Sequence, residues 1–119
     1  MHESTESVLT GTDILEMRRE VEQVTVHDNL RAYGVRIVEE TRNIPEVSCG
    51  ASPRALLSMF RAAQAIAYMA DRDYCIPEDI AEAAEFTLSH RLVLTVEAKM
   101  SHTTKCQVIR QILQKVKVP

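Results

Sequence analysis

The stretch SPRALLSMFRAAQAIAYMA, Ser52 to Ala70, constrains the fold more than any other part of the chain. Leu56, Met59, Phe60, Ala63, Ile66, Ala67 and Ala70 recur every three or four residues, the interval at which side chains return to one face of an α-helix. Ser52 offers an oxygen to an orphan amide at the helix start, and Pro53 suits the first helical position, where its missing N–H loses no partner. So wide an apolar band has to be covered, and its repeated alanines let a neighbouring helix approach closely. This is the expected central helix of a bundle. One residue runs against the pattern: Arg54 puts a cation in the first turn, where the helix dipole favours anions.

The flanking segments supply the rest of the bundle. From Thr12, TDILEMRREVEQV places Ile14, Met17, Val21 and Val24 at helical spacing, and QVTVHD then permits a short extended piece. DNLRAYGVRIVEETRN reads as a helix with Asp28 as N-cap and Leu30, Tyr33, Ile37, Val38 and Thr41 on one face; Asn43 and Pro45 end it. NIPEVSCGA is the connecting loop, in which Gly50 is expected to supply backbone freedom. Pro77, with Glu78 and Asp79 behind it, starts a further helix carrying Ile80, Ala83, Ala84 and Leu88. HRLVLT has the character of a short strand, with YCI as its expected partner. A last helix runs from about Thr103 to Val116 with Val108, Ile109, Ile112 and Leu113 at core spacing, and Lys115 and Lys117 near its end. Residues 1 to 11 read as a flexible polar lead-in, which sets the domain at 12–119. The expected fold class is all-α, a bundle of about four to five helices with a minor short β element.

Several function classes are disfavoured. A chain of 119 residues fits one domain. Its net charge is −3, and its 14 Lys and Arg are scattered rather than gathered in a stripe, which argues against a helix-turn-helix DNA binder and against nucleic-acid partners generally. Cys49, Cys75 and Cys106 form no CxxC and no zinc-ligand spacing, so neither a disulfide framework nor a metal site is expected. No run is long and apolar enough for a membrane span, and MHESTES is not a signal peptide; the expected location is cytoplasmic. The three glycines, Gly11, Gly34 and Gly50, make no P-loop, and there is no GxSxG or HExxH motif, so no catalytic residues are assigned. Glu39 with Glu40 and Glu78 with Asp79 read as solvated surface and as complements to a helix dipole. The four dispersed histidines read as surface or packing residues. For Arg54 two readings stand on the residues alone. The plainer, which the residues favour, points it to water or to a nearby acid. In the other, its guanidinium fork joins the free amides of the helix start to grip a phosphate.

GASPRALLSMFRAAQAIAYMADRDYCIPEDI resembles the sensor 2 region of the MoxR family of AAA+ ATPases, whose lid carries a G-A-S-P-R-A motif, an alanine-rich helix and a G-R-x-Y-V-x-P-x-D-V-like turn. VTVHDNLRAYGVRIVEETR is similar to the family's first lid helix, including Tyr33 and Thr41-Arg42, and HRLVLTVEA and VKVP are similar to its closing segments. The resemblance covers about residue 14 to Pro119. It implies that Arg54 is the sensor 2 arginine, contacting phosphates of an ATP held mainly by a separate P-loop core, with Gly50 to Pro53 shaping the approach and Ser52 and Pro53 as its nucleotide-binding neighbours, and that Pro119 is a natural C-terminus. It also implies ATP and Mg2+ as cofactors of the parent protein, though not of the isolated chain. The implied partners are that core, ring-forming copies of the parent and a von Willebrand A domain protein, in a chaperone-like assembly. Asp71 stands where the family has a small residue, Ile76 where it has Thr before the proline, and His27-Asp28 where it has Ser-Pro. Walker A, Walker B, sensor 1 and an arginine finger are missing, so no ATP hydrolysis is expected from the chain alone. The alternative is a stand-alone helical protein-interaction module with a histone-like arrangement and no nucleotide chemistry.

Overall fold

The alanine-rich stretch forms the longest helix, and the other elements gather round it. The computed structural model describes residues 11–119. In chain order the elements are α1 (Gly11–Glu22), α2 (Asp28–Glu40), β1 (Val47–Cys49), α3 (Pro53–Met69), α4 (Pro77–Leu88), β2 (Val93–Leu94), α5 (Val96–Met100) and α6 (Lys105–Lys115). The fold is all-α with one small two-stranded antiparallel sheet. The lead-in expected at residues 1 to 11 lies outside the described residues except for Gly11, which is the first residue of α1.

α3 packs against α4, α2 and α1, and α6 closes the core against α4 and α2. Met59, Ala63 and Ala67 of α3 are fully buried, as are Ile80, Ala83, Ala84 and Leu88 of α4 and Val108, Ile109 and Ile112 of α6. Each large aliphatic side chain in that set contributes on the order of 2 kcal/mol by leaving water. α2 presents Leu30, Tyr33, Ile37, Val38 and Thr41 to this core, the face read from its spacing. Its Gly34 lies so close to α3 that a Cβ would stand 2.7 Å from the Phe60 ring. Ala70, placed on the apolar band of α3 by its spacing, is the C-cap and is exposed, because the helix ends at Met69.

Local chemistry explains the helix ends. Ser52 Oγ accepts the Ala55 amide at 3.3 Å, with Pro53 as the first helical residue. Thr104 caps α6 reciprocally: its Oγ accepts from the Gln107 amide at 3.1 Å, and Gln107 Oε1 accepts from the Thr104 amide at 2.9 Å. Asp28 is not the cap of α2. His27 holds that position without a side-chain bond, and Asp28 sits in the first turn, where the dipole favours its charge. The five-residue α5, capped by Thr95 Oγ on the Ala98 amide, carries too short a pattern to be read from the sequence.

The strand partner differs from the expected one. β2 pairs with β1, Val47 opposite Leu94 and Cys49 opposite Val93, with an irregularity between them. The YCI segment bonds instead to the extended piece after α1: the Thr25 amide donates to Asp73 O at 2.9 Å and the Cys75 amide to Thr25 O at 2.8 Å. Those bonds occupy one edge of the YCI segment, and β2 is met by Val47–Cys49 instead.

α1 buries none of its residues. Of its expected core positions Ile14, Met17 and Val21 stay partly or largely exposed; only Val24, beyond the helix end, is buried. Polar bonds to α3 tie it down: Gln64 Nε2 donates to Val24 O at 2.9 Å and Glu22 O at 3.4 Å, and the Tyr68 hydroxyl donates to the Glu20 carboxylate.

Candidate functional site

The start of α3 is fixed by the end of α2. Thr41 is fully buried; its Oγ accepts the Ala51 amide at 3.0 Å and donates to the Val38 carbonyl. Arg42 Nη2 donates to the Ala51 carbonyl at 3.0 Å. Ala51 is therefore held at both its amide and its carbonyl, one residue before the Ser52 cap. Gly50 is needed here for space rather than for backbone freedom, since its φ is not positive. A Cβ on it would stand 2.8 Å from Thr41 Oγ and from Arg42 Cγ.

On this clamped platform Arg54 is the second residue of α3, and Ser52, Pro53 and Arg54 are all exposed. The Arg54 guanidinium makes no ion pair or hydrogen bond among the described residues, and its backbone N–H has no acceptor among them. Two kinds of donor thus face outward: an amide at the positive end of a helix dipole and a charged planar fork. Together they match the oxygens of a phosphate. The solvent-facing reading of Arg54 is correct as far as the chain alone goes, and no nearby acid pairs with it among the described residues. Ser58 and Arg61 follow on the same face at i+4 and i+7, and Arg91 Nη2 reaches Ser58 Oγ at 3.4 Å.

These groups fit a phosphate. Among the described residues no group of three or more His, Cys, Asp or Glu is placed to hold a metal ion. Arg54 also borders none of three surface depressions along α1, α3 and α4. No helix of the described residues is long and apolar enough to cross a membrane.

The acids divide differently from the sequence reading. Asp79 is not solvated: it is 2% exposed and grips Arg72 through two bonds, Nη1 to Oδ2 at 2.6 Å and Nη2 to Oδ1 at 3.0 Å. Asp79 Oδ2 also accepts the Ile76 amide at 2.9 Å, which covers an orphan donor that Ile76, lacking an oxygen, cannot answer in kind. The bond to Asp79 raises the Arg72 pKa further above its already high ordinary value. Glu40 pairs with Lys115 of α6 at 2.6 Å. All three cysteines are free; Cys75 is buried, and burial pushes its thiol up to about 11.

Sequence reasoning located Ser52, Pro53 and Arg54 but treated Thr41 only as part of a helix face and a matching position, and Arg42 only as a matching position. A Thr-Arg pair closing one helix, ten residues before the cap region of the next, was the available signal for the clamp on Ala51.

Comparison with known proteins gives this geometry its context. Residues 39–112 match the family described as AAA lid domain. The chain is 42% identical over 117 residues to the uncharacterized Bacillus subtilis protein YeaC, covering 98% of this chain and 37% of that protein. It is 38% identical over 122 residues to Chaperone MoxR1 of Mycobacterium tuberculosis, covering 94% of this chain and 32% of the relative. A crystal structure of a Cytophaga hutchinsonii protein assigned as an ATPase superposes with a TM-score of 0.85 at 35% identity, covering 91% of this chain and 36% of the other. The chain thus spans about a third of the length of the curated relatives it matches. With its capped Ser-Pro-Arg helix start, its α3–α4 pair and this agreement across nearly its full length, the chain belongs to the AAA lid domain family, as a lid of the MoxR type.

Proposed function

We propose that this domain is the nucleotide-sensing lid of a longer MoxR-type AAA+ ATPase, and that Arg54 is its sensor 2 arginine. A P-loop core outside this chain holds ATP and Mg2+, and Arg54 contacts the phosphates from the lid side, coupling hydrolysis to lid movement. The observation that carries this reading is the unpaired guanidinium and unpaired backbone N–H of Arg54, presented outward on a helix start that Thr41 and Arg42 hold in place. A cation in the first helical turn is disfavoured by roughly 0.5 kcal/mol when it faces only water, and an anionic ligand reverses the sign. The lid's own contribution is binding and orientation: one fork on phosphate oxygens, with no proton transfer from this chain. The assembly is a cytoplasmic ring of the parent protein, chaperone-like in action, with a von Willebrand A domain protein as partner.

The test uses the full-length protein. Arg54→Ala lowers kcat for ATP hydrolysis by about a hundredfold, the scale of one lost charge-stabilising donor. Arg54→Lys recovers only part of it, because a point charge lacks the guanidinium fork. Arg54→Lys leaves the melting temperature of the isolated chain unchanged, and Arg54→Ala raises it by about 2 °C because the first-turn cation is gone. Wild-type hydrolysis rates in the Arg54→Ala protein would refute the assignment.

A further inference from the structure

Arg91 stands two residues past Ser89, the C-cap of α4, a place where a cation is ordinarily answered by the carbonyls of its own helix. Its guanidinium turns away from them. Among the described residues its side-chain bond goes to α3 instead, Nη2 donating to Ser58 Oγ at 3.4 Å, and no carboxylate pairs with it. A bond of that length to a neutral hydroxyl is weak and leaves most of the fork's donors free.

The small sheet fixes where this side chain stands. β1 and β2 are antiparallel with Cys49 opposite Val93, so the chain leaving β1 toward Arg54 and the chain entering β2 from Arg91 share one end of the ladder. Leu92, 1% exposed, roots that end in the core, and Ser48 Oγ donates across the strands to the Val93 carbonyl at 3.1 Å. Arg91 is thereby mounted on the platform that carries Arg54. Along α3, Ser58 follows Arg54 by four residues, about 6 Å of helical rise, and no acid lies between Ser52 and Ser58. Two guanidiniums from segments distant in sequence thus meet within about one turn of α3, neither paired with an anion among the described residues. Like charges held this close repel each other unless an anion lies between them. We propose that Arg91 is a second phosphate-contacting residue of the Arg54 site, so that the lid grips a nucleoside polyphosphate with two forks, one from α3 and one from the α4–β2 turn. One fork suffices for a single phosphate, whereas a polyphosphate spans the turn that separates the two. Ser58 is then the positioning residue that keeps Arg91 over α3. The proposal rests on the reading of Arg54 as the nucleotide contact and adds to it the need for more than one phosphate.

The full-length protein tests this through its affinity for a non-hydrolysable ATP analogue and for AMP, each measured by competition with a fluorescent nucleotide. Arg91→Ala weakens the ATP analogue about tenfold, the scale of one lost charge-assisted hydrogen bond, and leaves AMP unchanged, because AMP has no polyphosphate to bridge the forks. Arg91→Lys recovers part of the loss. Circular dichroism confirms that each variant is folded, and Arg91→Gln carries the test if Arg91→Ala is not. Hydrolysis by the Arg54→Ala protein separates the two readings. Wild-type hydrolysis there would sink both of them; slowed hydrolysis there, beside wild-type affinity for the ATP analogue in Arg91→Ala, would overturn this proposal alone. A loss equal for the ATP analogue and AMP would assign Arg91 to a contact with the ATPase core rather than with phosphate, and would also overturn it.

Discussion

Thr41→Val isolates the bond on which the candidate site is built. Val has nearly the shape of Thr, so the buried packing of residue 41 is retained while the acceptor for the Ala51 amide disappears. Ala51 is 2% exposed and its amide donates to Thr41 Oγ at 3.0 Å, so no water replaces the lost partner. The Val38 carbonyl, which also receives the Thr41 hydroxyl, keeps the bond from the backbone amide of residue 41 at 3.1 Å. The cost therefore falls on one stranded buried amide, about 2 kcal/mol. For a domain of this size that is a drop of roughly 10 °C in Tm. Thr41→Ser is the control: it keeps the oxygen and loses a methyl, for about 1 kcal/mol. Urea unfolding followed by far-UV circular dichroism measures both, with an unchanged m value confirming that the difference lies in folded-state stability. A Thr41→Val chain as stable as Thr41→Ser, or within about 0.5 kcal/mol of wild type, would refute the clamp.

The family departures and the thiols give further tests. Asp71 occupies the left-handed region at φ 63 just after α3, so Asp71→Gly stabilises the chain by about 0.5 kcal/mol, read as a rise in the thermal midpoint; a fall would show that the aspartate makes a compensating bond. Ile76→Thr adds a side-chain oxygen that accepts from the first-turn amides of α4 and gains about 0.5–1 kcal/mol in the same measurement, and no gain would mean that the Ile76 carbonyl, which already accepts the Asp79 amide at 2.9 Å, meets the need. Exposed Cys49 and Cys106 react quickly with a thiol reagent at pH 8 while buried Cys75 waits for unfolding; three equally fast thiols would contradict its burial. The folded Cys75 value of about 11 lies above its ordinary 9.0, so its contribution to stability is complete below pH 9 and is lost as pH rises toward 11. Cys75→Ala removes that pH dependence, and an unchanged alkaline profile would assign it to another group.

What the sequence determined by itself was local. Helical spacing placed α2, α3, α4 and α6, and Ser52-Pro53 and Pro77 marked two helix starts, because periodicity and capping depend on residues within a turn or two of each other. Arg54 was legible for the same reason: its conflict with the helix dipole is a property of its own first turn. The tertiary structure decided everything that needed a partner distant in sequence. β2 pairs with Val47–Cys49, and it is Thr25 rather than β2 that bonds the backbone of Asp73 and Cys75. Asp79 became a buried ion pair because Arg72 folds back onto it from the preceding turn. α1 kept the amphipathic spacing of a core helix yet buries nothing, since spacing states which face is apolar and not whether anything covers it. Ala51 is pinned, and Arg54 with it, by two side chains from the end of another helix, a contact made through space by Thr41 and Arg42.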